Sequence, residues 1–220
     1  MRGSRRVFVA LLLLVSSRVS FSDAASCPAL PVDASAAIFT TDSSFASWTI
    51  DTTSNRAFFV VDWADPVLRA LAAAIGGRAI RVGGSGGDVL VYGLGSAPPC
   101  AASGSQWCLN ASTARALAGF AAAAATPMYF GLNIHPPGGS PPQHPWNATN
   151  ARALLEFVRD EGLSPTFAGF ELGNECNSNG LTAPQQSAAF AALSALLADV
   201  FPQPLLRPQL QPPQHADGRM

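Results

Sequence analysis

The chain has few charged residues and no surplus of either sign. Charged side chains make up 12% of the 220 residues, and the formal net charge is -1. A nucleic-acid-binding protein needs clustered Lys and Arg, and a solvating tail needs a run of like charges, so both classes are excluded. Hydrophobic residues amount to 48%, which is enough to bury a core. The composition therefore indicates one globular domain with no nucleic-acid partner.

Closely spaced metal ligands are also missing. The sequence contains no Cys-x-x-Cys pair and no paired histidines, and its three histidines lie far apart. Protein zinc sites are usually built from such closely spaced ligands. We therefore expect no metal site.

The N-terminus has the pattern of a secretory signal peptide. Three arginines in the first six residues precede the apolar stretch Val7–Val15, which is too short to span a bilayer. Small residues follow, and we expect cleavage near Ala24, so that residues 1–24 form the signal peptide. An uncleaved anchor is the alternative. No later stretch is long and apolar enough to be a transmembrane helix.

Four cysteines remain after the predicted cleavage site. In an oxidising compartment an even number of cysteines indicates disulfides. Cys100 and Cys108 lie close together in the chain and are candidates for a bridge that closes a small loop. The partners of Cys27 and Cys176 stay open.

Two Asn-x-Ser/Thr triplets, beginning at Asn110 and Asn147, are candidate N-glycosylation sites. Such triplets also occur by chance, but together with the leader they favour the secretory route. We therefore expect a secreted or extracellular protein. The cell wall, a vacuole or lysosome-like compartment and the membrane periphery are the alternatives that the sequence leaves open.

Strand-like and helix-like segments alternate four times along the chain, which predicts an α/β fold with a parallel sheet and crossover helices. Asp65-Pro66 is typical of a helix start, and so is Thr182 followed by Gln185. Spacing alone does not choose between part of a barrel and a small doubly wound sheet. Strands are predicted at 36–41 with 47–50, 78–82, 89–92, 127–132 and 166–172, and helices at 67–75, 112–125, 149–160 and 182–200. The Pro- and Gln-rich segment 201–220 is predicted to be a disordered tail.

The strongest candidate for chemistry is the pair Asn174-Glu175, directly after the fourth predicted strand. In a barrel of alternating strands and helices the active site lies at the carboxyl ends of the strands. A half-buried glutamic acid can keep its proton near neutral pH and protonate a leaving group, while a neighbouring amide can bind a sugar hydroxyl. The pattern favours glycosidase chemistry.

Four stretches in this order resemble glycoside hydrolase family 79, the heparanase and plant heparanase-like β-glucuronidases. They are Phe45–Asp51, Ile80–Asp88, Tyr129–Asn133 and Glu171–Glu175, and the last reads Glu-Leu-Gly-Asn-Glu. Their order and spacing resemble the family from about residue 36 to residue 195. The resemblance implies the first four βα units of a (β/α)8 barrel, over residues 25–200.

The resemblance also implies roles for individual residues. Glu175 would be the acid/base, and Asn174 would bind the sugar beside it. Asp51 and Ser85 would line the subsite for the terminal sugar, and Asn133 would support its floor. Asp51 also has a structural interpretation, as a strand-end cap for a loop amide, and we interpret Asn133 as structural in preference to sugar-contacting. No metal or organic cofactor is implied.

The second carboxylate of a retaining glycosidase is missing from the expected places. Such an enzyme needs a nucleophile about 5 Å from the acid/base. After Glu175 only Asp199 and Asp217 remain, and neither follows a strand. We interpret Glu171 as a buried structural carboxylate. The sequence therefore predicts a truncated family member without a nucleophile.

The resemblance implies that the function is hydrolysis of β-glucuronide O-glycosyl bonds in proteoglycan or cell-wall glycans, by retention of configuration. The truncated chain is expected to be inactive or nearly so, since double displacement needs both carboxylates. Two alternatives remain open. One is a secreted carbohydrate-binding fragment without turnover, and the other is an incomplete gene model.

Overall fold

The computed structural model describes residues 46–52, 57–100, 107–135, 144–177, 180–202 and 209–210. All of them fall in one compact unit, Thr41–Met220. The predicted signal peptide, the predicted strand at 36–41, Cys27 and Asp217 lie outside the described residues.

The described chain alternates strands and helices, as the sequence predicted. The strands are β1 (Trp48–Asp51), β2 (Ile80–Gly83), β3 (Val91–Gly93), β4 (Cys108–Asn110), β5 (Met128–Leu132), β6 (Phe167–Leu172) and β7 (Gln209–Leu210). The helices are α1 (Ala57–Val60), α2 (Pro66–Ile75), α3 (Ala111–Ala123), α4 (Thr149–Asp160) and α5 (Ala183–Val200), with a short 3-10 turn at Gly87–Val89. None of these helices is both long and apolar enough to cross a membrane.

The helix ends follow from local residues. The carboxylate of Asp65 accepts the N–H groups of Val67 at 2.7 Å and Leu68 at 3.1 Å, which caps α2 as predicted. Gln185 accepts the N–H of Thr182 at 2.9 Å in the predicted capping box of α5. The cap of α3 differs from the prediction. Asn110, two residues earlier than expected, accepts the N–H of Thr113 at 2.9 Å.

The main sheet is parallel and its strand order follows the chain, β1-β2-β5-β6-β7. Right-handed connections then place every crossover helix on the same face of the sheet. A doubly wound sheet has a reversal of strand order at its switch point. The described strands contain no such reversal, so the doubly wound alternative is not the observed topology.

The two faces of the central strands are chemically different. On one face, Ile80, Val82, Phe130 and Leu132 are fully buried and belong to the core. The opposite face carries charged and small residues, among them Arg81, Gly83, Gly131 and Glu171. Glu171 is the clearest case, because it is 3% exposed yet ionisable. The charged face is therefore a specialised feature of this sheet.

A small second sheet is formed by the segment between β2 and β5 in the chain. β3 pairs in parallel with β4, with Val91 opposite Cys108. The predicted disulfide between Cys100 and Cys108 is present, with 5.5 Å between the two Cα atoms. β4 itself was not predicted, since three residues beside a cysteine loop carry no readable alternation.

The tail contains one element that the sequence did not predict. Gln209 and Leu210 form β7, which pairs in parallel with Gly169 and Phe170 of β6. A strand edge presents unpaired N–H and C=O groups, and these attract any extended segment nearby. Residues 203–208 and 211–220 lie outside the described part, so the prediction of disorder stays untested there.

Burial predicts the effect of truncating two helical leucines. Leu154 of α4 is fully buried, whereas Leu71 of α2 is 57% exposed. We expect Leu154→Ala to lower the free energy of unfolding by about 2–5 kcal/mol, and Leu71→Ala to change it by less than about 0.5 kcal/mol. Urea unfolding of both variants checks this. Both variants replace a helical leucine by alanine and differ in burial. Equal losses of unfolding free energy would therefore contradict the described core.

Candidate active site

The carboxyl ends of the main strands bring most of the predicted site residues to one edge. Asp51 at the end of β1 lies opposite Gly83 at the end of β2. Among the next strands of the same sheet, Leu132 at the end of β5 lies opposite Leu172 at the end of β6. The turn holding Ser85 and the turn holding Glu175 therefore both leave the sheet at this edge. This is the edge at which ligands bind in parallel α/β proteins.

A tight turn after β6 holds the predicted acid/base. Gly173 has a φ of 70° and Glu175 has a φ of 45°, both in the left-handed region. Glycine adopts this conformation freely, whereas for glutamate it costs about 1–2 kcal/mol. Such strain persists only where surrounding contacts fix the backbone, and it is found preferentially at functional sites. The Glu175 side chain is exposed.

Two hydrogen bonds fix this turn. The N–H of Gly173 donates to the carbonyl oxygen of Leu132 at 3.0 Å, which continues the β5–β6 ladder. The N–H of Asn174 donates to Oδ1 of Asp88 at 2.6 Å. The second bond has a charged acceptor and therefore contributes more than a neutral one.

The side-chain amide of Asn174 has a defined orientation. Its Oδ1 accepts from Nη2 of Arg81 at 3.1 Å. A guanidinium has only donors, so the amide must turn its oxygen to Arg81. Its NH2 group then faces Ser85, whose Oγ lies 3.4 Å away. The structure thus brings Ser85 and Asn174 together, as the resemblance implied.

A buried ion pair lies beneath this amide. Nη2 of Arg81 is 2.6 Å from Oε1 of Glu171, whose side chain is 4% exposed. Two glycines make room for the carboxylate, because a Cβ at Gly83 would lie 2.6 Å from Oε1 and a Cβ at Gly131 would lie 3.1 Å from it. Burial raises the pKa of Glu171, and Arg81 opposes this shift. The prediction of a buried structural carboxylate is confirmed.

Asp51 sits against the turn that follows β2. Its side chain is exposed, and its Oδ1 occupies the place that a Cβ on Gly84 would take. Gly84 has a φ of 120°, which only glycine adopts without strain. The absence of a side chain at Gly84 therefore permits Asp51 to lie beside the turn that contains Ser85.

Asp88 is a positioning residue whose role was missed at the level of sequence. It is 4% exposed in the 3-10 turn after β2. Its backbone oxygen accepts the N–H groups of Ile134 at 3.2 Å and His135 at 3.0 Å, while its carboxylate accepts from Asn174. An aspartate in a glycine-rich turn was the available signal, but its partners lie far away in the chain.

Asn133 does not join the group around Asn174. It is 4% exposed, and its Nδ2 donates to the carbonyl oxygen of Leu90 at 2.7 Å. Its backbone N–H donates to the hydroxyl of Tyr92 at 3.0 Å. The structure therefore shows Asn133 as a buried amide that ties β5 to β3, which agrees with the structural interpretation considered above.

Cys176 follows the acid/base candidate directly and is a buried free thiol. Burial raises the pKa of this thiol, which favours its protonated form. Its Sγ lies 3.8 Å from the carbonyl oxygen of Leu172. The thiol therefore packs beneath the turn.

The one carboxylate after Glu175 among the described residues lies elsewhere. Asp199 belongs to the last turn of α5 and forms an exposed ion pair with Arg152 at 2.7 Å. Its partner Arg152 belongs to the first turn of α4, and no contact of Asp199 with the turn that holds Glu175 is found among the described residues. The described residues also contain no group of three side chains arranged to hold a metal ion.

The two glycosylation candidates are both exposed. Oδ1 of Asn110 caps α3, and Oδ1 of Asn147 accepts the N–H of Thr149 at 3.0 Å. Whether either asparagine carries a glycan stays a prediction.

The buried carboxylate predicts a pH dependence of stability. The ordinary pKa of Glu171 is 4.5, and burial raises it in the folded protein. The folded state therefore keeps a proton that the unfolded chain loses as the pH rises above 4.5. The contribution of Glu171 to stability is complete below that pH and is lost as the pH rises through the folded pKa. We measure the free energy of unfolding of Glu171→Gln and of the unmodified chain in urea at several pH values. We expect the difference between them to shift in favour of Glu171→Gln as the pH rises from acid to neutral.

Glu161 supplies a control of opposite sign. It is exposed, and a hydrogen bond from Arg115 lowers its pKa. Its contribution is therefore present above its ordinary pKa and lost as the pH falls. If Glu161→Gln and Glu171→Gln shift the pH profile in the same direction, the dominance of burial at Glu171 is contradicted.

Comparison with known proteins identifies the family. A family model described as glycosyl hydrolase family 79, N-terminal domain, matches residues 30–216. None of the curated proteins matches the chain. Among solved structures, the chain is similar to a 4-O-α-L-rhamnosyl-β-D-glucuronidase from Fusarium oxysporum 12S in complex with Rha-GlcA, with 18% identity and a TM-score of 0.40. That match covers 72% of this chain and 34% of the other, so the chain spans about a third of that protein. The chain belongs to glycosyl hydrolase family 79, of which it carries the N-terminal domain.

Proposed function

We propose that this chain forms the first half of the (β/α)8 barrel of a retaining, heparanase-like β-glucuronidase, with Glu175 as the acid/base. One observation carries the proposal. Glu175 follows β6, the fourth strand of a sheet whose strand order follows the chain, in a strained turn held by Asp88 and Arg81. Residues 25–200 would be this half barrel.

The site supports a specific division of labour. Glu175 would protonate the leaving glycosidic oxygen and then, as its conjugate base, activate the water that releases the sugar. The NH2 group of Asn174, oriented by Arg81, would donate to the 2-hydroxyl of the glucuronide. Asp51 and Ser85, which lie around Gly84, would hold the terminal sugar.

The nucleophile of this reaction would come from elsewhere. A retaining site needs its second carboxylate about 5–5.5 Å from the first. Asp199 is paired with Arg152 of α4, and Glu171 is paired with Arg81 beneath the site. We therefore assign the nucleophile to a later strand that is not among the described residues.

The same proposal includes the secretory route. The Cys100–Cys108 disulfide supports an oxidising compartment, and the exposure of Asn110 and Asn147 would permit glycosylation. We expect N-terminal sequencing of the secreted chain to find a mature N-terminus near residue 25. An intact leader on the secreted chain would contradict the predicted signal peptide.

Hydrolysis and binding of β-glucuronides test the catalytic assignment together. Since the described residues supply one suitable carboxylate, we expect turnover of a chromogenic β-glucuronide close to background. We also expect saturable binding of a non-hydrolysable glucuronide, weakened by Ser85→Ala. If turnover is observed, Glu175→Gln should lower kcat by about 10²–10⁴-fold. Glu161→Gln, the same change at an exposed carboxylate after α4, should leave it unaltered.

The outcomes separate the candidate functions. Turnover that Glu175→Gln abolishes makes Glu175 catalytic and places a second carboxylate within the chain. Binding without turnover favours the alternative of a carbohydrate-binding fragment. Turnover that survives Glu175→Gln, or the absence of both binding and turnover, contradicts the proposal for this chain.

A further inference from the structure

A cavity of about 340 Å³ lies beside the loop that follows β5. Ligand pockets range from about 300 to 1,000 Å³, so this one suits a ligand of one or two rings. Its wall is formed by the loop after β3, the loop after β5 and the first turns of α4, with Asn133, Trp146 and Asn150 among the lining residues. None of the residues proposed for glucuronide binding at Glu175 belongs to it apart from Asn133.

The polar part of the wall is made of amides and hydroxyls. Asn133, Asn147 and Asn150 contribute amides, and Ser96 and Thr149 contribute hydroxyls. Such groups pair with the hydroxyls of a sugar, since each acts as a donor, an acceptor or both. None of the described lining residues is Asp, Glu, Lys or Arg. The one ionisable side chain among them is His135, so an anionic ligand would find no Lys or Arg to pair with.

One acceptor in the wall is particularly suited to a ligand. Asn133 is 4% exposed, and the hydrogen bonds that its side chain donates both run from Nδ2, to the carbonyl oxygen of Leu90 and to Oδ1 of Asn150. No described residue donates to its Oδ1. A ligand hydroxyl that reaches this oxygen can therefore donate a hydrogen bond to it.

The apolar part of the wall includes an indole. The Nε1–H of Trp146 donates to the carbonyl oxygen of Asn133 at 3.1 Å, so the polar atom of the ring is used within the protein. What Trp146 presents to the cavity is therefore ring carbon. Ring faces of this kind pack against the C–H face of a pyranose, and Ile134 and Ala153 extend the apolar surface.

From this wall we propose that the cavity is a binding site for a neutral pyranose, separate from the glucuronide site at Glu175. The two sites are linked by Asp88, whose backbone oxygen holds Ile134 and His135 of the cavity wall while its carboxylate holds Asn174. The sugar has two sources. It is a neutral residue of an external glycan, or the first N-acetylglucosamine on Asn147, whose own side chain lines the cavity.

Sugar binding by the unglycosylated chain tests the site itself. N-acetylglucosamine and methyl glucoside are titrated against chain produced without N-glycans, with glucuronic acid as the charged comparison, by ligand-observed NMR. We expect saturable binding of the neutral sugars and at least about tenfold weaker binding of glucuronic acid. No saturable binding of a neutral sugar, or equal binding of glucuronic acid, overturns the proposal.

Filling the cavity supplies the matched variant. Ala153 is 4% exposed in α4 and lines the cavity, so Ala153→Leu places a larger side chain inside it. Ala188→Leu makes the same change on the exposed face of α5. We expect Ala153→Leu to weaken binding at least about tenfold and Ala188→Leu to leave it unchanged. If Ala153→Leu unfolds at a lower temperature than the unmodified chain, Ala97→Leu in the loop after β3 is used as the filling variant instead. Binding that survives the filling variant overturns the proposal.

The glycosylated chain distinguishes the two sources. Chain from a secretory host is compared with its Asn147→Gln variant from the same host. Neutral-sugar binding by both supports the site and assigns it to an external glycan. Binding by Asn147→Gln alone supports the site and assigns it to the chain's own N-acetylglucosamine.

Discussion

The geometry of the candidate site depends on one buried aspartate. Asp88 accepts hydrogen bonds from the loop after β5 through its backbone oxygen and from the turn after β6 through its carboxylate. A hydrogen bond to a charged carboxylate, such as the one from Asn174, contributes about 1.5–3 kcal/mol. The bond to Asn174 is one of the contacts that hold Glu175 in a left-handed conformation that glutamate disfavours. Three loops that are distant in the chain thus share one anchor.

A second constraint comes from the ion pair beneath the amide. Taking Arg81 and Glu171 out of water is costly, and replacing such pairs by apolar residues is often neutral for stability. What the pair provides is orientation, because Arg81 offers only donors and thereby fixes which way Asn174 turns. The two glycines that accommodate the carboxylate, Gly83 and Gly131, are part of the same arrangement. The charged face of the sheet is therefore explained by the site it supports.

Sequence alone predicted what local patterns encode and missed what distant contacts create. The limits of α4 and the caps of α2 and α5 follow from residues within one turn of each helix end, and these were predicted correctly. Asn174 and Glu175 were found because they follow a strand. Asp88 was not given its anchoring role, and Arg81 was not singled out, because their partners lie 86 and 93 residues away. β7 was missed because an open strand edge, and not its own composition, induces it.

The strand order also determines where a second catalytic carboxylate can stand. In a parallel sheet with right-handed crossovers, every strand ends at the edge of Glu175 and every helix ends at the opposite edge. Asp199, which follows Glu175 in the chain, lies on helix α5 and forms an ion pair with Arg152 of α4. A carboxylate can face Glu175 only if it follows another strand. Among the described strands, β1 and β2 offer Asp51 and the Ser85 turn there, and β5 leads into the buried Asn133. Because Asp51 is assigned to sugar binding in the proposal, the proposal takes the second carboxylate of a double displacement from a strand beyond β6.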